Sequence, residues 1–253
     1  MRILDVDQGT MEWALGRLGI PTASQFDRIL TPKTRKASAG VHSYRAELLA
    51  EWLMGQPLDW GTSAWMERGT ELEDEARRWY EMDRGVDVAQ VGIVLRDDGM
   101  VGGSPDGLVG EDGGLEIKCP AAVQHVKYLL GVDELAHVGQ VQGYLYLTGR
   151  QWWDVLSYNP KLPAVVRRVE RDEDYLEALV PLLDALVAQV LEDRAAWESY
   201  RVPRPWQEEY IGKASASHFS EDDYRKAIDL LRSGFPVPAS DGGDEAQTSA
   251  LPY

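Results

Sequence analysis

The spacing of apolar residues predicts helices that bracket a central group of strands. Apolar positions three and four residues apart predict a short helix over residues 22–29 and longer helices over 44–54, 63–83, 133–147 and 172–200. Apolar or alternating stretches predict strands over residues 86–95, 101–109, 114–118, 152–158 and 164–170. Because helices and strands do not alternate regularly, we expect an α/β fold with a central mixed β-sheet flanked by helices.

The composition divides the chain into three regions. Residues 1–206 have the composition of one globular domain, without repeats. Residues 207–235 are more polar and acidic and contain one predicted helix, with Ser220 near its start and Gly234 at its end. Residues 236–253 lack apolar periodicity, so we expect a disordered tail.

Composition and charge exclude several classes of protein. The single cysteine, Cys119, excludes an intramolecular disulfide and a zinc site built from several cysteines. No apolar run is long enough to cross a membrane, and the acidic N-terminus is unlike a signal peptide, so we expect a cytoplasmic protein that does not bind membranes. The net charge of -16 argues against diffuse binding to nucleic acid. It leaves room for a local basic surface, because residues 29–46 contain four basic residues and no acid.

Candidate chemistry is concentrated in a predicted hairpin. A glycine-rich turn over residues 110–114 predicts a hairpin centred near Asp112, with Asp106 opposite Lys118 and Leu108 opposite Glu116. Side chains alternate along strands, so Asp106, Glu116 and Lys118 are expected on one face, with the two carboxylates roughly 7 Å apart. Such a pair can bind Mg²⁺ or Mn²⁺, and Lys118 can act on a water or on a phosphoryl oxygen. The alternative is a surface hairpin with an exposed ion pair.

A third carboxylate and an amide extend this set. Glu73 lies within a helical stripe of apolar or small residues, where a carboxylate is costly unless it is paired or binds a metal. The alternative is an ion pair with Arg77 one turn further on. Gln140 and Tyr144 are also one helical turn apart, and Gln140 can bond phosphate oxygens or a metal-bound water. We interpret His137 as a packing or surface histidine, because no second histidine has metal-binding spacing.

In combination, these motifs resemble those of the PD-(D/E)xK nucleases, and within them the YqaJ/lambda-exonuclease type of viral recombination nuclease. The resemblance covers about residues 10–200 and is carried by segments that occur in the family's order. These are Arg17-Leu-Gly-Ile-Pro-Thr22-Ala-Ser24, Gly69-x-x-x-Glu73, Ser104-Pro-Asp106-Gly, Leu-Glu116-Ile-Lys118-Cys-Pro and Gln140-x-x-x-Tyr144. The resemblance implies a restriction-endonuclease-like core.

The resemblance also implies an activity and a set of roles. The activity is a Mg²⁺-dependent exonuclease, for which Mn²⁺ would substitute, that degrades one strand of duplex DNA from its 5′ end. The remaining 3′ single-stranded tail would serve recombination by strand annealing. The implied site residues are Asp106, Glu116 and the Ile117 carbonyl for one metal, Glu73 and Asp106 for a second, Lys118 for the attacking water, Gln140 for ordering the site, and Arg17, Thr22, Ser24 and Ser104 for the 5′ phosphate.

The family's processive members are ring-shaped trimers, which implies a homotrimer around DNA and a single-strand annealing protein as a possible partner. This chain departs from some relatives after Cys119-Pro120, where Ala121 and Ala122 stand in place of a basic residue that helps to hold the phosphate. Two alternatives remain. One is a RecB-like or structure-specific DNA nuclease, and the other is a recombination module that binds DNA ends without cleaving them.

Overall fold

The computed structural model describes residues 1–58 and 64–201 of the 253-residue chain. These residues belong to one compact unit, Met1–Arg204. The helix predicted within residues 207–235 and the disordered tail predicted for 236–253 lie outside the described residues.

Six α-helices and ten β-strands make up the described part of the chain. The helices are α1 (Met11–Gly16), α2 (Val41–Met54), α3 (Ala64–Arg84), α4 (Ala122–Leu129), α5 (Val138–Thr148) and α6 (Glu173–Trp197), with 3₁₀ helices at Ala23–Arg28 and Glu198–Tyr200. The strands are β1 (Arg2–Leu4), β2 (Leu30–Thr31), β3 (Lys36–Ala37), β4 (Val88–Ala89), β5 (Ile93–Leu95), β6 (Gly102–Gly103), β7 (Gly107–Val109), β8 (Gly113–Lys118), β9 (Trp152–Ser157) and β10 (Val165–Glu170). Among these elements, no helix has both the length and the apolar character needed to cross a membrane.

The central sheet has five strands in the order β10-β9-β8-β7-β4. The β8 and β9 strands are parallel, and the other neighbours are antiparallel, so the sheet is mixed. Two smaller antiparallel sheets accompany it, β1-β5-β6 and β2-β3. The predicted α/β fold with a mixed sheet and flanking helices is therefore confirmed.

Helices cover both faces of this sheet because its strands alternate apolar side chains between them. On one face, Leu115 and Ile117 of β8 pack with Ala76 and Tyr80 of α3. On the other face, Trp153 of β9 joins a larger core with residues of α5 and α6, which include the fully buried Leu145, Leu179 and Leu183. The catalytic candidates of β8 therefore lie on a strand that is buried on both sides.

Two glycines fix how β8 lies against β9. Gly113 pairs with Trp152 and Gly114 pairs with Trp153. A Cβ at Gly113 would lie 2.0 Å from the Trp152 ring, and one at Gly114 would lie 2.3 Å from the Trp153 ring. Only glycine can occupy these positions without displacing an indole, so the two tryptophans hold the register of the neighbouring strand.

The structure corrects several predicted elements. The predicted strand over 86–95 is two strands, β4 and β5, in different sheets, because the backbone turns at Gly92, where a Cβ would lie 2.3 Å from the Val6 carbonyl oxygen. The predicted strand over 101–109 divides into β6 and β7 on either side of Ser104-Pro105. The predicted helix over 133–147 begins only at Val138, after His137 in a left-handed conformation. The sequence patterns did not predict α1, α4 or β1.

Candidate active site

The hairpin of β7 and β8 carries the candidate carboxylates in a register that differs from the prediction. Gly107 pairs with Leu115 and Val109 pairs with Gly113, so the turn is centred at Glu111 and not at Asp112. Gly110 has a φ of 53° and starts a three-residue turn directly after Val109. The prediction that Asp106 lies opposite Lys118 is wrong, because this register places it opposite Glu116. The shift of two residues preserves the alternation, so Asp106, Glu116 and Lys118 still share a face.

Asp106 lies just before β7 begins, and its side chain makes a hydrogen bond to β8 that the backbone of a paired strand would otherwise make. Its Oδ2 accepts a hydrogen bond from the Ile117 backbone N–H at 2.5 Å. The N–H and carbonyl of one residue in a strand point to the same side. The Ile117 carbonyl is therefore directed to the side of β8 on which the Asp106 carboxylate lies.

Glu116 is 3% exposed and has one satisfied and one unsatisfied oxygen. Its Oε1 accepts hydrogen bonds from Lys118 Nζ at 2.5 Å and from Gln140 Nε2 at 2.7 Å. Its Oε2 is buried and has no hydrogen-bond partner in the described part of the chain. A buried carboxylate oxygen without a partner is costly, so this atom is well suited to bind a cation.

Glu73 joins this cluster from α3. Burial raises the pKa of its carboxyl group, and the charge of Glu116 raises it further, whereas Arg77 and Lys118 oppose the rise. Arg77 donates a hydrogen bond to Asp74 Oδ1 at 2.6 Å, and the described ion pairs of Arg77 do not include the predicted alternative partner, Glu73. The structure thus brings Glu73 within the electrostatic reach of Glu116 and Lys118.

The ionisable groups of the cluster influence one another strongly. Burial raises the pKa of Asp106 well above its usual value, and the charge of Glu116 adds to this rise. Burial opposes the charge on Lys118, but Glu116 and Asp106 outweigh burial and raise the pKa of its ammonium group. Three carboxylates that act electrostatically on one another and on a single ammonium group favour a further cation.

Gln140 and Tyr144 form a hydrogen-bonded chain beside the carboxylates. Gln140 accepts from Lys118 Nζ at 3.3 Å and donates to the Tyr144 hydroxyl at 2.8 Å. The Tyr144 hydroxyl in turn donates to the Ser104 carbonyl at 3.0 Å. Tyr144 was not a predicted site residue, although its spacing from Gln140 was the available signal. Burial, followed by the charge of Lys118, lowers the pKa of the nearby His137 to about 4, which suits a neutral packing histidine.

Two of the candidate phosphate-binding residues, Arg17 and Ser104, are linked by Trp13 and lie next to the hydrogen bonds between Gln140, Tyr144 and Ser104. The Trp13 indole N–H donates to Ser104 Oγ at 2.7 Å, and the Arg17 guanidinium lies over the Trp13 ring at 4.3 Å. Burial lowers the pKa of Arg17, while Tyr144, Tyr44, Glu51 and Glu116 oppose this effect, which places Arg17 near the carboxylates.

Thr22 and Ser24 lie at the start of the 3₁₀ helix, and their surroundings differ. Thr22 is buried and its backbone N–H donates to the Tyr44 hydroxyl at 2.9 Å. Ser24 is exposed, and its hydroxyl lies 3.5 Å from that of Thr22. Ser24 is accordingly the better placed of the two to reach a ligand, whereas Thr22 anchors the segment.

A model of the YqaJ-like viral recombinase domain matches residues 12–151, which include every candidate site residue. The chain belongs to the YqaJ-like viral recombinase family. This YqaJ-like chain is similar to an alkaline exonuclease, LHK-Exo from Laribacter hongkongensis, with 33% identity over 75% of this chain and 97% of that chain, and a TM-score of 0.66. The structure of LHK-Exo in complex with dAMP gives 34% identity, the same coverage and a TM-score of 0.66.

The comparisons confirm the predicted family and its PD-(D/E)xK-like fold. A phage related exonuclease from Haemophilus somnus 129PT shares the fold, with 16% identity over 71% of this chain and 96% of that chain, and a TM-score of 0.58. A search of the curated proteins gives no match.

The donor set of the YqaJ-like domain fits a divalent cation in its chemistry. Asp106, Glu116, Glu73 and the Ile117 carbonyl supply hard oxygen atoms, which Mg²⁺ and Mn²⁺ prefer. The buried and unpartnered Oε2 of Glu116 is an oxygen that a cation would satisfy. In the described ranges, no group of three or more His, Cys, Asp or Glu residues is already gathered as a metal centre. The fit therefore rests on the chemical type of the donor atoms and on the unpartnered Glu116 oxygen.

Proposed function

We propose that this protein is a Mg²⁺-dependent DNA exonuclease whose catalytic centre is the cluster of Asp106, Glu116 and Lys118. The YqaJ-like family and the similarity to alkaline exonucleases support a nuclease that acts on DNA. The observation that carries the metal-dependent centre is Glu116, which is buried opposite Asp106 with one carboxylate oxygen unsatisfied. A pair of carboxylates with one oxygen still unpartnered suits a divalent cation.

The residues have distinct roles in this proposal. Asp106, Glu116 and the Ile117 carbonyl would hold one Mg²⁺, and Glu73 with Asp106 would hold a second, with Mn²⁺ as a substitute. Bound cations of this type stabilise the attacking and leaving oxygens of a phosphodiester. Lys118 is held by Glu116 and Gln140 and orients the attacking water. Gln140 keeps both Glu116 and Lys118 in place.

In this proposal, recognition of the 5′ phosphate sets the direction of degradation, as the family resemblance implies. Arg17, Ser24 and Ser104 would bind a terminal 5′ phosphate, with Thr22 supporting the segment, so that one strand of duplex DNA is degraded from its 5′ end. The product would be a duplex with a 3′ single-stranded tail for recombination by strand annealing. Crystals of LHK-Exo with dAMP support a deoxynucleoside monophosphate as the released unit.

The assembly in this proposal is a homotrimeric ring around duplex DNA, with a single-strand annealing protein as partner. A ring reconciles the net charge of -16 with a DNA substrate if the basic residues line the channel. Processive degradation should then survive dilution once the end is engaged. Monomers in sedimentation together with distributive products would refute the ring and leave the nuclease site untouched.

The decisive experiment uses linear duplex DNA labelled separately at its 5′ and 3′ ends, with Mg²⁺. Wild type should release the 5′ label first, whereas Asp106→Asn and Glu116→Gln should keep less than a few per cent of the rate. Asp112→Asn is a matched control, because Asp112 is an exposed carboxylate in the turn of the same hairpin. Both site variants should stay folded, since the change removes negative charge from a repulsive cluster.

Binding of the metal can be measured without turnover. Mg²⁺ should raise the melting temperature of wild type and of Asp112→Asn, because a ligand that binds only the folded state stabilises it. The same addition should not stabilise Glu116→Gln. Normal cleavage by either site variant, or an equal thermal shift in all proteins, would refute the assignment of the metal site.

A further inference from the structure

Trp13 makes two contacts that no candidate role explains. Its indole N–H donates to the Ser104 hydroxyl oxygen at 2.7 Å, and its ring face carries the Arg17 guanidinium at 4.3 Å. Ser104 is far away in the sequence, directly before Pro105 and Asp106. One side chain thus joins the two candidate phosphate-binding residues that come from separate parts of the chain.

The indole is itself held firmly. Thr10 caps α1 by accepting a hydrogen bond from the Trp13 backbone N–H at 3.3 Å. The Trp13 ring packs against the small core of Ile20, Ile93 and Leu95. A ring anchored by its backbone, its apolar face and its N–H loses little further freedom when a ligand binds, which makes it a suitable support.

The direction of the hydrogen bond between Trp13 and Ser104 decides whether the Ser104 hydroxyl can donate to a ligand. An indole N–H can only donate, so Ser104 Oγ must be the acceptor in this hydrogen bond. The Ser104 hydroxyl hydrogen is then available for another acceptor. A phosphate oxygen is such an acceptor, and Trp13 therefore sets Ser104 in the donating orientation that an anion requires.

The contact with Arg17 also prepares a side chain to bind an anion. A guanidinium whose Cζ lies over an indole face makes a cation–π contact that uses no N–H hydrogen bond, so its N–H groups can bind a second partner. Those N–H groups match the geometry of a phosphate, which they can bind in two places. Trp13 thereby presents one cationic fork and one hydroxyl donor.

We propose that Trp13 is a positioning residue for recognition of the DNA end, which orients Arg17 and Ser104 to receive the terminal 5′ phosphate. The proposal rests on the 5′-phosphate recognition proposed above and adds the residue that prepares it. Trp13 does not touch the reacting atoms in this scheme. Its effect should therefore appear in the preference for phosphorylated ends and in KM, more than in kcat.

The test measures initial rates on duplexes that differ only in a 5′ phosphate or a 5′ hydroxyl, and takes their ratio as the preference. Trp13→Phe keeps an aromatic face for Arg17 but removes the N–H donor, so the preference should fall about three- to tenfold, as expected for one hydrogen bond. Trp13→Leu removes both contacts and should lower the preference further. Trp197→Phe, at a half-exposed tryptophan of α6, is the control and should keep the wild-type preference.

A double-mutant comparison separates positioning from general support. In a Ser104→Ala background, Trp13→Phe should have no further effect on the preference, because its partner is already gone. A loss that is equal on both kinds of end, or that adds fully to Ser104→Ala, would indicate a merely structural role and overturn the proposal. Trp13→Phe with a normal melting temperature decides the question even if Trp13→Leu does not fold.

The outcomes also distinguish the role of Trp13 from the 5′-phosphate recognition on which that role rests. Wild type that ignores the end phosphate would refute 5′-phosphate recognition itself. A wild-type preference that Arg17→Ala erases but both Trp13 variants retain in full would leave 5′-phosphate recognition standing and overturn the role of Trp13.

Discussion

Replacing Tyr144 by phenylalanine removes one oxygen atom from the centre of the candidate active site. The Tyr144 side chain is 2% exposed, and its hydroxyl joins Gln140 to the Ser104 carbonyl through hydrogen bonds of 2.8 and 3.0 Å. The ring itself packs on Trp153 with centroids 5.1 Å apart, and Tyr144→Phe keeps that contact. The change therefore isolates the two hydrogen bonds.

The expected cost follows from these two bonds. Each intramolecular hydrogen bond contributes about 0.5 to 1.5 kcal/mol, and a buried group that loses its partner costs about 1 to 3 kcal/mol. Gln140 keeps Glu116 as an acceptor, whereas the buried Ser104 carbonyl loses the Tyr144 donor. We expect the free energy of unfolding to fall by about 2 kcal/mol. Activity should fall roughly tenfold, which corresponds to about 1.4 kcal/mol in the barrier, because Gln140 orients Glu116 and Lys118.

Urea unfolding followed by tryptophan fluorescence, together with initial cleavage rates, checks both numbers. The matched control is Tyr146→Phe on the same helix, where the hydroxyl of a half-buried tyrosine accepts a long hydrogen bond from Arg96 at 3.5 Å. Its effect on unfolding should be well below that of Tyr144→Phe. If the two variants lose the same stability and cleave at the same rate, the hydroxyl of Tyr144 does not organise the site.

Two further predictions concern the sheet that supports the site. Asp154→Ala should lower the free energy of unfolding by about 3 kcal/mol, because it leaves Arg168 and the buried Tyr80 hydroxyl without the carboxylate that they bind at 2.7 to 2.9 Å; equal urea midpoints for variant and wild type would contradict this. Gly114→Ala should cost about 3 kcal/mol or more, because its Cβ would lie 2.3 Å from the buried Trp153 ring; a soluble variant of normal melting temperature would show that the sheet can accommodate the methyl group.

The sequence predicted those parts of the fold and site whose signals are local. The alternation Leu115-Glu116-Ile117-Lys118 placed the charged residues on one face of a strand, and the structure agrees. The hairpin register was wrong because it depends on the φ of Gly110, which no apolar pattern reveals. The error did not change the shared face, because it amounted to two residues.

Other features carry no local signal. Helix α1 has six residues, too few to display a helical period, and so the element that carries Trp13 was not predicted. The hydrogen bond from Trp13 to Ser104 joins residues 91 positions apart, so neither the contact nor its donor and acceptor can be predicted from local sequence. The division of the predicted strand over 86–95 arose from a close backbone approach at Gly92. Each of these features depends on packing between distant segments.

The tryptophans that lie over Gly113 and Gly114 have a consequence for any minimal catalytic fragment. The family match ends at residue 151, and all candidate residues lie before that point. The strand that carries Glu116 and Lys118 nevertheless runs beside β9, and the Lys118 carbonyl accepts a hydrogen bond from the Tyr158 N–H at 2.9 Å. A fragment that ends at residue 151 would retain every candidate site residue, but it would lack β9. The edge of β8 that pairs with β9 would then be exposed and unpaired. The shortest autonomous form must therefore extend through β9, because residues beyond the family match support the strand that carries Glu116 and Lys118.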